Sequence, residues 1–224
     1  MTDASLNADF NRPAVLHTAV VDWQASPSPT VWRKRLDLSG PKEAGRVTSV
    51  VRYDSKSAFP EHPHPDGEEY LVLDGVFSDE HGDYPAGTYV LNPEGVSHAP
   101  YSRDGCVLFV KLRQYPGAGR KRIVVDTDGE TWRPGQTPGV TVLPLYEEAG
   151  YPEKTSMLRM AAGAVVADHA CIGGEEFFVV DGSVEDANGH YVTGSWARFP
   201  DGSRHYLRSE TGCTLYLKRG HLAR

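Results

Sequence analysis

Two histidines and two glutamates fall within eight positions (62–69) of the segment "EHPHPDGEEYLVLDG", directly before an apolar run. Titratable groups on the threshold of a core are costly unless each is compensated. The segment is therefore either a solvated loop or the wall of a cation site. In an extended chain residues two apart share a face, so His62 and His64 can point together. Glu68 opens the apolar run, and the same alternation turns its neighbour Glu69 away. Further on, Gly87, Pro93 and Gly95 supply turns that bring the chain back and let His98 close the ring. Three imidazoles and one carboxylate offer a cation four ligands carrying one negative charge. That set suits zinc, iron, manganese or nickel more than calcium or magnesium, which favour oxygen.

The elements that must position these groups are short. Sixteen prolines and twenty-three glycines punctuate runs such as "GTYVLNP" and "CVLFVKLR", and no segment sustains a helical period. Short β-branched and aromatic runs bounded by Gly and Pro argue for an all-β barrel or sandwich. The chain is also written twice. Residues 49–111 set against 156–218, an offset of 156 − 49 = 107, give 21 identities in 63 positions without a gap. Upstream, "WQASPSPTV" (23–31) faces "WRPGQTPGV" (132–140) at an offset of 109. Two units of roughly 100 residues are longer than stacked-repeat periods and imply two β domains. The expected division is an N-terminal arm (1–14), a first barrel (15–116), a linker (117–123) and a second barrel (124–224).

The strings His62-x-His64-x3-Glu68-x6-Gly75 and Gly87-x5-Pro93-x-Gly95-x2-His98 resemble the two signature motifs of the cupin superfamily. Within it, 64–102 followed by "DGCVLFVKLRQ" is similar to the cupin-like domain of ChrR-type anti-sigma factors. The resemblance implies two tandem cupin jelly-roll barrels and a divalent metal, usually zinc, on His62, His64, Glu68 and His98. It further implies a sensor or regulatory module answering to an oxidant or small molecule, or an iron dioxygenase that splits a diketone-like substrate. ChrR-type regulators grip their sigma factor through a separate N-terminal helical zinc domain. Only about fifteen residues, none of them cysteine, precede the first barrel here. Sigma-factor binding is therefore not carried over to this chain.

Adding 107 to each ligand gives His169, Cys171, Glu175 and His205. Such a set could hold zinc, with Cys171 as a thiolate and the cysteine most open to oxidation. Alternatively the second copy has kept only a structural role. Cys106 and Cys213, at equivalent positions, read as small buried apolar side chains. His17, His81, His190 and His221 match no partner and read as surface residues. Tyr84 and Tyr191 recur, as do Arg52 and Arg159; packing at strand ends is the simpler account, orientation of an anionic substrate the alternative. No nucleophile or general base can be assigned.

The net charge is −7 and lysine and arginine form no block, which argues against a nucleic-acid partner. No apolar window approaches a membrane span, and the first residues lack the pattern of a secretory signal. With three widely separated cysteines this suits a reducing cytoplasm. A homodimer is plausible for barrels of this kind.

Overall fold

Glycine and proline interrupt the apolar runs every few residues, and the chain forms short antiparallel strands. The computed structural model describes residues 5–117 and 119–222. Among the described residues the only helical element is a 3-10 turn, Thr18–Val20, and no helix is long and apolar enough to cross a membrane. The expectation of an all-β chain holds.

The chain divides into two compact units, each a jelly roll. One comprises Val21–Gly129 with residues 5–8, the other Asp9–Val20 with 130–222. In the first, the main sheet runs in the order Ile123–Asp126, Thr88–Asn92, Glu68–Asp79, Cys106–Leu112, Arg46–Tyr53, Val31–Ser39, Gln24–Ala25. The far half of Glu68–Asp79 leaves that sheet and pairs with Gly82–Pro85 and Tyr101–Ser102, while His62–Pro63 pairs with Ser97–His98. Tyr70, Val72, Phe77, Val90, Leu108 and Val110 fill the space between the layers. In the second unit the order is Ala14–His17, Ser195–Phe199, Glu175–Asp186, Cys213–Arg219, Lys154–Met160, Val140–Glu147, Arg133–Pro134. Its core is built on Phe177, Val179, Phe199, Leu207 and Leu215.

The expected boundaries at 14/15 and 123/124 differ from this division. Ala14–His17 registers against Ser195–Arg198 and belongs to the second unit. Ile123–Asp126, expected to open the second barrel, registers against Thr88–Leu91 in the first. A strand's backbone groups are satisfied by whichever sheet edge receives them, so these two equivalent strands cannot be assigned from chain order. Of the expected arm and linker, residues 1–4 and Ala118 lie outside the described residues.

One glycine in each copy shapes the site. Gly75 has φ +72°, and a Cβ there would lie 2.2 Å from the Gly105 carbonyl oxygen. Gly182 repeats this with φ +75° and the Gly212 oxygen at 2.2 Å. Here the strand turns from one layer to the other, so both of its ends can reach the same interior. Gly75→Ala combines left-handed strain with a backbone collision and is expected to cost ~3 kcal/mol. Chemical denaturation of the variant checks this, and an unchanged midpoint would contradict it.

Candidate metal centre

The antiparallel pair His62–Pro63 and Ser97–His98 sets His98 directly across from His62. His64 follows two residues on, its amide donating to the Val96 carbonyl (2.9 Å). One ligating nitrogen from each of His62, His64 and His98 lies within 4.8 Å of the others. The Nε2 atoms of His64 and His98 are 2.9 Å apart, and Glu68 Oε2 stands 3.5 Å and 3.6 Å from them. The four expected residues thus converge, with His64, Glu68 and His98 buried and His62 partly exposed. Glu69 lies on the other face, where Tyr89 donates to it at 2.8 Å.

The outer ring nitrogens fix the tautomers. His62 Nδ1 faces the Pro60 carbonyl at 2.8 Å, and His98 Nδ1 faces Asp79 Oδ2 at 3.1 Å. Each oxygen calls for a proton on Nδ1, leaving an Nε2 lone pair turned inward. Two nitrogens ~2.1 Å from one cation lie ~3.0–3.4 Å apart, depending on coordination angle. The donor set and its spacing therefore fit a small transition-metal ion. Burial lowers His64, against the pull of Glu68. Burial also opposes protonation of His98, but the Asp79 hydrogen bond and Glu68 outweigh it and raise that imidazole. Asp79 is itself held low despite burial, by hydrogen bonds from His98, the His81 amide and Tyr84.

Several participants were not anticipated. Asp79 lies 79 − 68 = 11 residues after Glu68 on one strand, and its counterpart Asp186 stands 3.4 Å from His205 Nδ1. Identity at the 107-residue offset was the available signal. Tyr84 and Tyr191 donate to these aspartates at 3.0 Å in both copies, a more specific role than strand-end packing. Asn92 donates to Glu68 (3.1 Å), and Arg122 donates to both Asn92 (3.0 Å) and Tyr84 (2.7 Å). Arg52 and Arg159 lie over Trp23 and Trp132, at 4.7 Å and 3.8 Å from the ring centres.

A cavity of about 320 Å³ opens onto the first cluster. Its walls include Tyr53, Phe59, Phe77, Leu108 and Val110, with Arg33, Glu43 and Arg113 also lining it.

In the second unit His169, Cys171, Glu175 and His205 also come within mutual ligand distance. Here the carboxylate is already matched. Glu175 receives His205 Nε2 at 2.9 Å, His169 Nε2 at 3.1 Å and Arg219 Nε at 2.7 Å. Arg219 stands where the first copy has Leu112 (219 − 107 = 112), and Phe199 replaces Asn92, its ring 4.3 Å from that of His205. These contacts hold Glu175 far below the usual carboxylate range despite burial. Burial, then Glu175, push the Cys171 thiol up to about 12, and the residue is 2% exposed. The Cys171 side chain is thus buried next to Glu175, in a setting that disfavours the thiolate unless a cation compensates it. Cys106 and Cys213 are buried as expected. His81 and His190 are exposed and His17 is partly exposed, but His221 has a buried side chain 3.1 Å from Glu176, contrary to its reading as a surface residue.

A tandem jelly roll with this histidine–carboxylate cluster is a cupin-fold protein, and the chain belongs to the ChrR Cupin-like domain family. That family's profile matches residues 11–116 and 120–223. Among solved structures, a proposed dioxygenase from Nostoc punctiforme superposes with TM-score 0.79 at 13% identity, covering 96% of this chain and 85% of its own. The Escherichia coli pirin YhhW in complex with nickel(II) gives 0.71 at 13% identity, with 93% and 98% covered. Lactobacillus farciminis oxalate decarboxylase gives 0.65 at 11%, with 92% and 86% covered. At these identities the likeness is one of fold. A search of curated proteins found no match.

Replacing Arg219 by leucine would leave Glu175 with histidines alone. The expected cost near neutral pH is on the order of 1–2 kcal/mol, a modest figure because the guanidinium is half exposed. The depressed Glu175 pKa contributes stability that is present above the unfolded carboxylate pKa and lost as pH falls through the folded one. The gap between parent and variant should therefore shrink on acidification. Denaturation curves carried from pH 7 down to the acid limit of folding check this, and a gap that widens on acidification would contradict it.

Proposed function

We propose that the first unit holds one divalent transition metal through His62, His64, Glu68 and His98 and presents it to a small molecule in the adjoining cavity. On this reading the protein is a metal-centred sensor or regulatory module responding to an oxidant or small molecule. The supporting observation is the inward-facing nitrogen set, with His62 and His98 each fixed from behind by an acceptor at Nδ1. Zinc is the first expectation for three histidines and a carboxylate, with iron, manganese or nickel accepted by the same donors.

A second reading is favoured by the cavity beside the cluster. A purely structural zinc site has no use for an apolar chamber of about 320 Å³, whereas a substrate does. Such a cation would polarise a carbonyl or, as ferrous iron, activate dioxygen. The chain's contribution would be to hold protons on the outer nitrogens of His62 and His98, fix Glu68 through Asn92, and exclude water with Phe59, Phe77 and Leu108. The fold likeness to a proposed dioxygenase is consistent with this, and a diketone would suit the chamber.

For the second unit we infer a structural role. Arg219 supplies the positive charge that Glu175 would otherwise seek from a cation, and Cys171 is buried as part of the second unit's apolar core.

Elemental analysis of untagged protein is expected to give about one metal ion per chain. His62→Ala with His64→Ala should remove it, while Cys171→Ala leaves it unchanged; metal retained after the double replacement would overturn the assignment. Asp79→Asn should weaken metal affinity ~10–100-fold by removing the charged acceptor behind His98. Dioxygen uptake by iron-loaded protein with pentane-2,4-dione would select the enzymatic reading, and its absence with a zinc-filled site the sensor.

A further inference from the structure

The duplication provides an internal control for the first cavity. Where the chain leaves strand Cys106–Leu112, Arg113 sits at φ +59° and its amide donates to the Gly67 carbonyl at 2.9 Å. The equivalent residue, 113 + 107 = 220, is a glycine at φ +76° whose amide donates to the Gly174 carbonyl at 3.0 Å. The backbone is the same, but only one copy has the residue suited to it. A side chain in the left-handed region is strained, and such strain persists where the side chain is used. Arg113 lines the cavity beside His64, and among the described residues its guanidinium has no hydrogen-bond or ion-pair partner.

Arg33 lines the same cavity. It is opposite Val51 in the first unit, as Val142 is opposite Leu158 in the second, so it too has no charged counterpart. Its NH2 group bonds both Glu43 oxygens, at 3.1 Å and 2.9 Å, but its Nε is buried without a partner. Glu43 is shared with Arg35 at 3.1 Å, so one carboxylate serves two guanidiniums. Away from the histidine cluster and its Glu68, the wall therefore carries the guanidiniums of Arg33 and Arg113 against the single shared carboxylate of Glu43, in a chain whose net charge is −7. The remaining wall is chiefly aromatic and aliphatic.

We propose that the first cavity selects a small organic monoanion, its anionic group paired with Arg113 and within the field of Arg33, and its apolar remainder lying against Tyr53, Phe77 and Leu108. This names the ligand class for the metal-centred reading above and rests on it for the identity of the pocket. The recognition chemistry, a guanidinium facing an oxyanion, is separate from the metal.

The test uses full-length protein, metal-loaded and chelator-stripped, with metal content measured in each sample. Titration calorimetry with hexanoate and with hexanamide, alike in shape but not in charge, reads the selectivity. Hexanoate is expected to bind at least tenfold more tightly than hexanamide in both forms. Arg113→Gly, which installs the second copy's residue and relieves the backbone, should fold normally and abolish that preference. Arg113→Lys should restore part of it. Equal affinity for the two probes, no binding of either, or a preference unchanged in Arg113→Gly would overturn the proposal. A preference seen only with metal bound would also overturn it, by placing the anion on the metal. If metal is absent throughout while the preference and its loss in Arg113→Gly are present, the metal reading fails and the anion site stands.

Discussion

His98 is approached from both sides by carboxylates of a single strand. Glu68 lies 3.6 Å from its Nε2 and Asp79 3.1 Å from its Nδ1. Eleven residues of straight strand would separate those carboxylates by ~36 Å. The strand can serve both nitrogens only by turning between the two layers at Gly75, where the Gly105 carbonyl leaves no room for a side chain. Jelly-roll curvature and site chemistry are therefore one constraint. The bend that closes the barrel also delivers an inner carboxylate toward the lone pair and an outer one toward the proton.

The same constraint explains what could be read from the sequence. His62, His64, Glu68 and His98 were legible because two short segments with fixed turns carry them, and each segment's local geometry is set by its own residues. The all-β architecture and the duplication were legible for similar reasons, through glycine, proline and a gapless 107-residue offset. Asp79 and Asn92 were not, although the first stands between the two motifs and the second within the later one. Which face of a bent strand meets His98 is decided by the bend, and no periodicity crosses it. Arg122 was hidden differently. It lies in a stretch expected to be a linker, and it reaches Asn92 and Tyr84 because the next strand, Ile123–Asp126, completes the first sheet.

Comparison of the copies separates what the fold requires from what the chemistry requires. Both keep the turning glycine, the tyrosine-to-aspartate hydrogen bond with a histidine beside the aspartate, and the buried glutamate. They part at the residues that answer the glutamate's charge. The second copy places Arg219 at 2.7 Å and packs Phe199 against His205. The first has Leu112 and Asn92 in those positions, so Glu68 receives one amide hydrogen bond where Glu175 receives a guanidinium. A buried carboxylate that is paired with a guanidinium has little to gain from a cation, whereas one served by an amide and three imidazoles has no permanently charged partner.

That difference extends to the walls. In the second unit Val142 and Gly220 stand where the first has Arg33 and Arg113. One copy spends its arginine inside the cluster, on Glu175; the other keeps arginines outside it, along the cavity, and leaves the cluster's own charge unmatched. The first arrangement is self-contained and lends itself to stability. The second has an unanswered negative charge at the histidines and an unanswered positive charge beside them. On the proposed reading, a site with both deficits would bind a cation and an anion together, and each would strengthen the hold on the other.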